Sequence, residues 1–333
     1  MNNDHPEVSF GKTGVLLVNL GTPDSTSWWD VRKYLKEFLS DRRVIEVNPI
    51  IWQVILNLFI LTLRPSKSAH AYKKIWRKDT NESPLLYFTK RQTEKLKNKL
   101  ENEKIKIDFA MRYGNPSIKS KLNLLKREGC ENIIIFPLYP QYAAATTATV
   151  CDEVYRSLMN MRWQPSLQII PHYESEPHYI DALVSSIKKK ISEINWKPDL
   201  IIASYHGIPK SYFDKGDPYQ CYCQKTTRLL KEKFTDIEIE TTFQSRFGPR
   251  EWLKPYTDKT IEKLPQEGKK NILVICPGFS SDCVETLEEI NIQGKESFLK
   301  SGGKNFDLIP CLNDGPDHIK LFEILINKYL VRK

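Results

Sequence analysis

The sequence has few cysteines, and their placement does not suit a disulfide framework. Seven cysteines occur among 333 residues, an odd number scattered along the chain. A chain of this length buries about three quarters of its unfolded surface, so its core does not depend on disulfides. Cys221 and Cys223 form a lone CxC pair, without the second pair that a four-ligand zinc site requires. The pattern predicts reduced thiols in a cytoplasmic protein.

Several nucleotide and metal motifs are also absent. The sequence has no GxGxxG segment, so nicotinamide and flavin binding lack their fingerprint, and it has no HExxH segment of a zinc protease. Gly11-Lys12-Thr13 resembles the end of a phosphate-binding P-loop. However, the upstream glycine position holds Pro6, and the segment precedes its strand instead of following one. These absences argue against nucleotide-dependent enzymes and zinc proteases.

No apolar run is long enough to cross a bilayer. The best candidate, residues 50–63 (IIWQVILNLFILTL), has 14 residues and contains Gln53 and Asn57, whereas a transmembrane helix needs about 20. Such a segment is either a buried helix or an exposed apolar lip that contacts lipid or an apolar ligand. Residues 1–14 lack the basic and apolar regions of a signal peptide, which predicts that none is present.

An excess of acidic residues is missing as well. Lysine and arginine number 50 against 41 aspartates and glutamates, for a net charge of +9. This balance favours anionic partners, which include membrane headgroups, nucleic acid and propionate-bearing ligands. No basic run interleaved with aromatics and no RNA-binding signature occurs, so we expect no nucleic-acid binding. Peripheral membrane association through residues 50–63 remains open.

Short β-branched runs alternate with helix-length amphipathic stretches along the whole chain. Most of the runs are apolar nearly throughout, as expected for parallel strands covered on both faces. The predicted strands are residues 15–20, 105–111, 132–137, 167–170, 200–205, 238–242, 271–276 and 306–309. The rhythm predicts an α/β protein with two Rossmann-like domains, each a four-stranded parallel sheet flanked by helices.

The seam between the two predicted domains falls near residues 170–173, about midway along the chain. We therefore predict a first domain over residues 1–171 and a second over residues 172–313. The remaining residues, 314–333, are predicted to form a helix that packs back on the first domain. No low-complexity linker and no solenoid-length repeat is visible.

Unusual side chains follow the predicted strands where those strands end. Ligands of open α/β sheets bind beyond the carboxyl ends of the strands. The segments at these ends are residues 19–23 (NLGTP), 111–116 (MRYGNP), 136–142 (FPLYPQY), 204–207 (SYHG) and 276–282 (CPGFSSD). Both halves are thus predicted to face a cleft that carries aromatic, arginine, histidine and carboxylate side chains. That arrangement is typical of an enzyme.

His206 lies at a predicted strand end, directly before Gly207, where the chain turns sharply. Such a histidine either hydrogen-bonds a loop or works in chemistry. The surrounding segment SYHGIP, followed by KGDPY, favours the functional interpretation. Histidine exchanges protons near neutral pH and also binds first-row metals.

Four carboxylates, Asp282, Glu285, Glu288 and Glu289, occur within eight residues of a basic chain. If a helix begins near Ser281, Asp282, Glu285 and Glu289 share one face. Acidic residues at a helix start can simply complement its dipole, with Ser281 or Asp282 as the cap. The alternative is a carboxylate track that accepts protons or passes a cation.

Arg112 and Tyr113 supply a cation and an aromatic plane, and Trp252 supplies another plane. Core packing with a salt bridge and ligand binding remain equally open interpretations of these three residues.

Seven segments together resemble the protoporphyrin ferrochelatases of the chelatase superfamily. The match is collinear from about residue 14 to residue 309. The segments are VNLGTPDS, RYGNPS, FPLYPQY with Thr146 and Thr147, SYHGIP, GDPYQCYCQKT, FQSRFGPREWL and PGFSSDCVETLEEI. Each segment alone is weakly specific, but the occurrence of all seven in the order of the family is highly specific.

The resemblance implies two Rossmann-like domains around a porphyrin cleft, and it assigns roles to particular residues. His206 matches the family's active-site histidine and Glu285 its catalytic glutamate, and both are candidate metal ligands. Asp282 and Glu289 are predicted members of a proton or iron relay. The predicted substrate-binding residues are Leu20, Tyr72, Arg112, Tyr113 and Trp252.

The implied reaction is insertion of Fe²⁺ into protoporphyrin IX with release of two protons, the last step of haem synthesis. Coproporphyrin, or cobalt or nickel with another tetrapyrrole, remain alternatives, as does a non-catalytic tetrapyrrole carrier. Many relatives have histidine where this chain has Cys283, which puts an iron route through that position in doubt. Some relatives bind an iron–sulfur cluster through a carboxy-terminal cysteine group. This chain lacks such a group after Cys311, so we expect no cluster.

Overall fold

Eight strands form two separate four-stranded sheets in the computed structural model, which describes residues 10–330. Residues 1–9, which carry most of the segment tested for a signal peptide, and residues 331–333 lie outside the described residues. The strands are β1 Lys12–Thr22, β2 Ile105–Gly114, β3 Cys130–Pro137, β4 Ser166–Ile169, β5 Leu200–His206, β6 Ile239–Gln244, β7 Asn271–Ile275 and β8 Asn305–Ile309. All eight predicted strands are confirmed.

Helices connect the strands and cover both sheets. The α-helices are α1 Trp28–Leu39, α2 Pro49–Ile55, α3 Leu61–Ile75, α4 Pro84–Leu100, α5 Ile118–Arg127, α6 Thr149–Met159, α7 Pro177–Glu193, α8 Lys210–Asp214, α9 Tyr219–Lys231, α10 Thr257–Lys263, α11 Lys295–Lys300 and α12 Pro316–Leu330. Three π-helical segments, Leu56–Ile60, Ala144–Ala148 and Glu285–Gly294, adjoin α-helices. The π-helix is rare and is frequent at functional sites.

The two sheets have the same strand order, β2-β1-β3-β4 and β6-β5-β7-β8, and every neighbouring pair is parallel. In each sheet the chain leaves the central strand to one side and then crosses to the other side. The carboxyl ends of the strands at such a switch point form the usual ligand crevice of this architecture. The predicted class, two parallel α/β sheets flanked by helices, is confirmed.

One apolar core runs between the two sheets, and each sheet has a second core on its other face. Val15 and Leu17 of β1 share the central core with Ile201 and Ala203 of β5. The alternating residues of these strands face outer cores that are separate from each other. Because both faces of each sheet are buried, the strands are almost entirely apolar, as the sequence pattern indicated.

Helix α12 lies against elements of both halves. Its Phe322 ring packs on Phe136 of β3, with centroids 4.9 Å apart. Glu323 accepts a hydrogen bond from Lys99 of α4 at 3.3 Å, and Asp314, just before α12, accepts one from Arg91 at 2.7 Å. The central core continues across the seam, so the bounds predicted for the two domains stay a prediction.

The lip helix, Pro49–Ile75, is a single helical rod made of α2, a π-helical turn and α3. The interpretation of residues 50–63 as a buried helix is wrong. Ile50 is 79% exposed, Leu58 63% and Leu63 74%, and only one side, with Leu56, packs on the protein. With 27 residues, the rod is also long and apolar enough to cross a bilayer by length and composition, because helix continues well beyond the apolar run. One such helix is weak evidence for a membrane span.

His318 of α12 should make the stability of the fold depend on pH. It is 1% exposed, its Nδ1 donates to the Asn313 carbonyl at 2.7 Å, and burial lowers its pKa from 6.5 to about 4. The unfolded chain therefore binds a proton at a higher pH than the folded chain does. The contribution of neutral His318 to the free energy of unfolding is present above about pH 6.5 and is lost as the pH falls toward 4. The loss between pH 7 and pH 5 is about 2 kcal/mol.

Urea unfolding at pH 7 and pH 5 measures this loss directly. His318→Gln, which retains a donor for the Asn313 carbonyl, should lose about 2 kcal/mol less than the parent over that interval. The exposed His178 supplies the control, since His178→Gln should follow the parent. An equal loss in the parent and in His318→Gln would contradict the prediction.

Candidate active site

His206 is the last residue of β5, where the chain leaves the second sheet. It is half-buried, and its Nδ1 lies 2.7 Å from the Gly207 carbonyl oxygen. A carbonyl only accepts, so the proton sits on Nδ1 and the Nε2 lone pair remains available. The side chain can accept a proton or bind a metal through Nε2.

Gly207 allows the chain to turn closely beside Trp252. A Cβ on Gly207 would lie 3.0 Å from the Gln244 carbonyl oxygen and 3.2 Å from Cε3 of Trp252. The indole Nε1 of Trp252 donates to the Phe247 carbonyl at 3.0 Å, which fixes the ring. Trp252 thus forms part of the wall next to His206.

Glu285, Glu288 and Glu289 lie on the carboxylate helix, the π-helical segment Glu285–Gly294. The spacing in the sequence placed Asp282, Glu285 and Glu289 on one face on the assumption that a helix begins near Ser281. That assumption is wrong. Asp282 precedes the helix and shares no helical face with Glu285 and Glu289. Glu288, also on this helix, has other partners. It is buried, and it accepts hydrogen bonds from Lys74 of the lip helix at 2.9 Å and from Gln293 at 2.7 Å.

Glu289 is held by the end of β6. The backbone N–H of Ser245 donates to one carboxylate oxygen at 2.7 Å and its hydroxyl donates to the other at 2.5 Å. Burial raises the pKa of the Glu289 carboxyl above its ordinary value, although the Ser245 hydrogen bonds and the charge of His206 oppose that shift. His206 is paired with Gln244, which donates to the Glu285 carbonyl, and the next residue, Ser245, binds the Glu289 carboxylate, so the end of β6 links these three predicted site residues.

Gln244 and Ser245 are site residues that sequence reasoning missed. Gln244 is paired with His206 across β6 and β5, and its Nε2 donates to the Glu285 carbonyl at 2.8 Å. Ser245 has a φ of +65°, in the left-handed region that non-glycine residues seldom adopt. The available signal was their position at a strand end, in the segment FQSRFGPREWL.

A very small cavity of about 10 Å³ lies between the first half and the start of the carboxylate helix. Leu20, Tyr72, Cys283 and Glu285 line it. Burial, and after it the charge of Glu285, raise the pKa of the Tyr72 hydroxyl well above its ordinary value. The structure therefore brings two predicted substrate-binding residues, Leu20 and Tyr72, to the same cavity as Glu285.

Arg112 and Tyr113 lie at the end of β2, where Tyr113 packs in the same apolar cluster as Leu20 and Tyr72. The Arg112 guanidinium bonds to Asp41 at 2.5 Å and to Thr149 Oγ1 at 2.6 Å, and Tyr113 donates to Asp41 at 2.9 Å. Tyr113 has no exposed surface, whereas Arg112 borders a polar groove of about 960 Å³. Their predicted contact with substrate therefore rests on the resemblance alone. No motif in the sequence pointed to Asp41 and Thr149 as partners of these two residues.

Asp282 is not free to face the cavity. Its carboxylate accepts hydrogen bonds from Thr286, from the Cys311 backbone and from Asn313. Within residues 10–330, no three histidine, cysteine, aspartate or glutamate side chains are grouped so that they could hold a metal ion. A metal beside His206 and Glu285 would need further ligands from another molecule.

The fold is that of the chelatases. SirB from Bacillus subtilis, whose structure contains Fe³⁺, aligns with a TM-score of 0.60 over 96% of both chains at 11% identity. CbiX, described as the terminal enzyme of siroheme biosynthesis in denitrifying bacteria, aligns with a TM-score of 0.50 over 95% of this chain and 98% of its own, at 10% identity. At such low identity these likenesses concern the fold.

The ferrochelatase family model matches residues 12–330. A ferrochelatase of Rhizobium johnstonii is 54% identical over 98% of this chain and 96% of its own length. A ferrochelatase of Francisella tularensis subsp. novicida is 51% identical over 97% of this chain and 98% of its own. The chain belongs to the ferrochelatase family.

Proposed function

We propose that this chain inserts Fe²⁺ into protoporphyrin IX, giving protohaem and two protons in the last step of haem biosynthesis. Membership of the ferrochelatase family supports iron insertion into a porphyrin. The observation that carries the proposal is that the end of β6 links His206, which has an available Nε2, to Glu285 and Glu289. A carrier would need the cleft but not this group of proton acceptors.

His206 is the principal base, and Glu285 is its partner. Insertion requires that two pyrrole N–H protons leave while four ring nitrogens bind iron. Nε2 of His206 accepts one proton, and the carboxylates accept the other or pass it outward. The raised pKa of Glu289 brings its protonation closer to neutral pH, which suits a proton-accepting role.

Ferrous iron is a substrate that the site receives and releases. Imidazole and carboxylate are suitable ligands for Fe²⁺, so His206 and Glu285 can both hold it on its way into the ring. The described residues offer no preformed three-ligand group, and porphyrin nitrogens would complete the coordination. Asp282 and Glu289 were predicted as relay members, and of these Glu289 is the one next to the other two.

Porphyrin entry requires the cavity to widen. Its volume of about 10 Å³ is far below the ~300–1,000 Å³ of ordinary ligand pockets. The contacts that join the lip helix to the second half include the ion pair of Lys74 with Glu288 and the Arg64 guanidinium 4.2 Å from the Phe247 ring centroid. The macrocycle is accommodated when the lip helix and the carboxylate helix separate. Leu20, Tyr72 and Trp252 then supply apolar and aromatic walls.

Anaerobic metal insertion tests the function. Purified protein is mixed with Fe²⁺ and protoporphyrin, and the loss of free-base porphyrin fluorescence is followed. Coproporphyrin in a parallel reaction decides which porphyrin is preferred. Turnover of protoporphyrin at the higher kcat/KM supports the proposal, and preference for coproporphyrin replaces the named substrate. Tight porphyrin binding without insertion of Fe²⁺, Co²⁺ or Ni²⁺ would favour a carrier.

The lip helix also gives the protein an apolar surface for the membrane. Ile50, Ile51, Leu58, Phe59 and Leu63 are all more than half exposed. A helix that buries one side on the protein and exposes apolar residues on the other can lie in the bilayer interface. We assign the protein a cytoplasmic location with peripheral attachment at this helix, where an apolar porphyrin can pass between membrane and cavity.

Introducing charge on the lip helix should reduce membrane binding. Phe59→Asp is expected to lower partitioning onto anionic phospholipid vesicles by about tenfold or more, because burying a phenyl ring contributes about 2 kcal/mol. Co-sedimentation with vesicles measures it. Met159→Asp is the matched control, since Met159 is 80% exposed on α6 and not on the lip helix. Equal binding by the parent and Phe59→Asp would contradict attachment at this helix.

Two expected absences complete the proposal. No [2Fe–2S] cluster is expected, because the sequence has no cysteine group after Cys311. Iron and sulfide analysis of anaerobically purified protein should detect none. Nucleic acid is not expected to bind, and a DNA affinity that falls steeply with salt would overturn that expectation.

A further inference from the structure

The turn after β8 is tied to the start of the carboxylate helix by a reciprocal pair of hydrogen bonds. Nδ2 of Asn313 donates to Oδ2 of Asp282 at 2.6 Å, and the Asp282 backbone N–H donates to Oδ1 of Asn313 at 2.8 Å. Asn313 has a φ of +48°, in the left-handed region that asparagine tolerates. Both the side chain and the backbone of Asn313 make fixed contacts in this conformation.

The carboxylate of Asp282 is almost fully occupied by protein donors. Oδ1 accepts the Thr286 hydroxyl at 3.0 Å and the Cys311 backbone N–H at 3.3 Å, while Oδ2 accepts Asn313. The residue is 4% exposed. Three of the roughly four lone-pair sites of a carboxylate are thus taken. A group bonded in this way fixes geometry, whereas a relay group must exchange its partners.

The same turn is held from the first half of the molecule. Gln92 of α4 has no exposed surface, and its Nε2 donates to the Asn313 carbonyl at 2.9 Å and to Ser281 Oγ at 3.0 Å. Next to it, Arg91 and Lys95 of α4 form ion pairs with Asp314 at 2.7 and 2.5 Å. Helix α4 therefore reaches the carboxylate helix through residues 313 and 314.

We propose that Asn313 and Asp282 form a positioning pair. Their hydrogen bonds fix the positions of Glu285 and Glu289 on the carboxylate helix, and contacts from α4 hold the pair in place. Asp282 orients Thr286, the neighbour of Glu285, and Thr286 in turn accepts the Cys283 backbone N–H at 3.0 Å. The pair acts on catalysis only through the carboxylate helix. This inference rests on the proposed function and replaces the relay role predicted for Asp282.

Exchanging the two side chains separates positioning from relay. Asn313→Asp places two carboxylates against each other and is expected to lower kcat of metal insertion about tenfold or more, with KM for porphyrin changed much less. The double variant D282N/N313D restores a carboxylate facing an amide and should recover kcat to within about threefold of the parent. A relay through Asp282 predicts instead that the double variant stays as slow as Asp282→Asn.

Urea unfolding of the parent, both single variants and the double variant tests the contact without activity. The double variant should be more stable than the sum of the single losses allows, and additive losses would overturn the pair. Absence of insertion by the parent would contradict the proposed function and leave this test intact. Asp317→Asn, an exposed carboxylate on the same segment, should match the parent in both measurements.

A second variant covers the outcome in which Asn313→Asp does not fold. Asn313→Gly keeps the left-handed backbone and removes both side-chain hydrogen bonds. It should fold, bind porphyrin as the parent does and lose about tenfold in kcat. A parent-level kcat in Asn313→Gly would overturn the proposal.

Discussion

Replacing His206 with alanine is expected to lower kcat of iron insertion by about 10²- to 10⁴-fold, the usual contribution of a positioned general base. The Nδ1 proton is committed to the Gly207 carbonyl, so the substitution removes the one ring nitrogen that can take a pyrrole proton. Backbone pairing of β5 with β6 and β7 sets the strand end and does not depend on the imidazole. KM for porphyrin should therefore change little. Anaerobic loss of porphyrin fluorescence over a range of porphyrin concentrations separates kcat from KM.

A second histidine supplies the control for this experiment. The His178 side chain is 53% exposed and pairs with Glu176 at the surface, so His178→Ala should insert iron at the parent rate. The thermal midpoint of His206→Ala should lie near that of the parent, which separates lost chemistry from lost folding. Near-parent insertion by His206→Ala would remove this residue from its assigned role.

Glu285→Gln is expected to lower kcat by about 10²-fold or more, because the amide has the same shape but neither accepts a proton nor binds a cation as a carboxylate does. The backbone of Glu285 should remain in place, since Gln244 donates to its carbonyl and not to its side chain. The cavity wall around Leu20 and Tyr72 is also preserved. The same fluorescence assay gives kcat, and porphyrin fluorescence titration without metal gives the affinity.

Glu296→Gln is the matched control for the second substitution. Glu296 follows the carboxylate helix, is exposed, and pairs with Lys300 one turn along α11 at 2.6 Å. Its loss should leave kcat unchanged, because exposed ion pairs of this type contribute little. If Glu285→Gln lowered only the porphyrin affinity and not kcat, Glu285 would be a binding residue and the proton-accepting role would be contradicted.

The strands, and their division into two four-stranded parallel sheets, were predictable from the sequence. Val15, Leu17, Ile201 and Ala203 lie on strands that are apolar on both faces, and that pattern is specific to parallel sheets covered by helices. The placement of His206 at a strand end followed from the same pattern together with Gly207. Both conclusions depend on neighbours within a few residues, where a sequence is most informative.

The helix that carries the carboxylates was not predictable in the same way. Spacing alone put Asp282, Glu285 and Glu289 on one face, but the helix begins at Glu285 and is π-helical. The Asp282 carboxylate accepts a hydrogen bond from Asn313, 31 residues further along the chain. The Glu288 carboxylate accepts one from Lys74 of the lip helix. Asp282 and Asn313 follow the neighbouring strands β7 and β8 and meet when the second sheet forms, whereas Lys74 meets Glu288 only when the two halves are packed together.

The sequence by itself determined the class of fold, the strand ends that carry chemistry and, through its resemblance, the family. Hydrophobic periodicity and composition are properties of short segments, and these properties decide which segments become strands. Tertiary structure alone decided which polar side chains are free to react. His206 keeps an available nitrogen, whereas Arg112 is bound to Asp41 and Asp282 to Asn313. The reason is that a buried polar group must find hydrogen-bond partners, and the folded chain supplies them from distant segments.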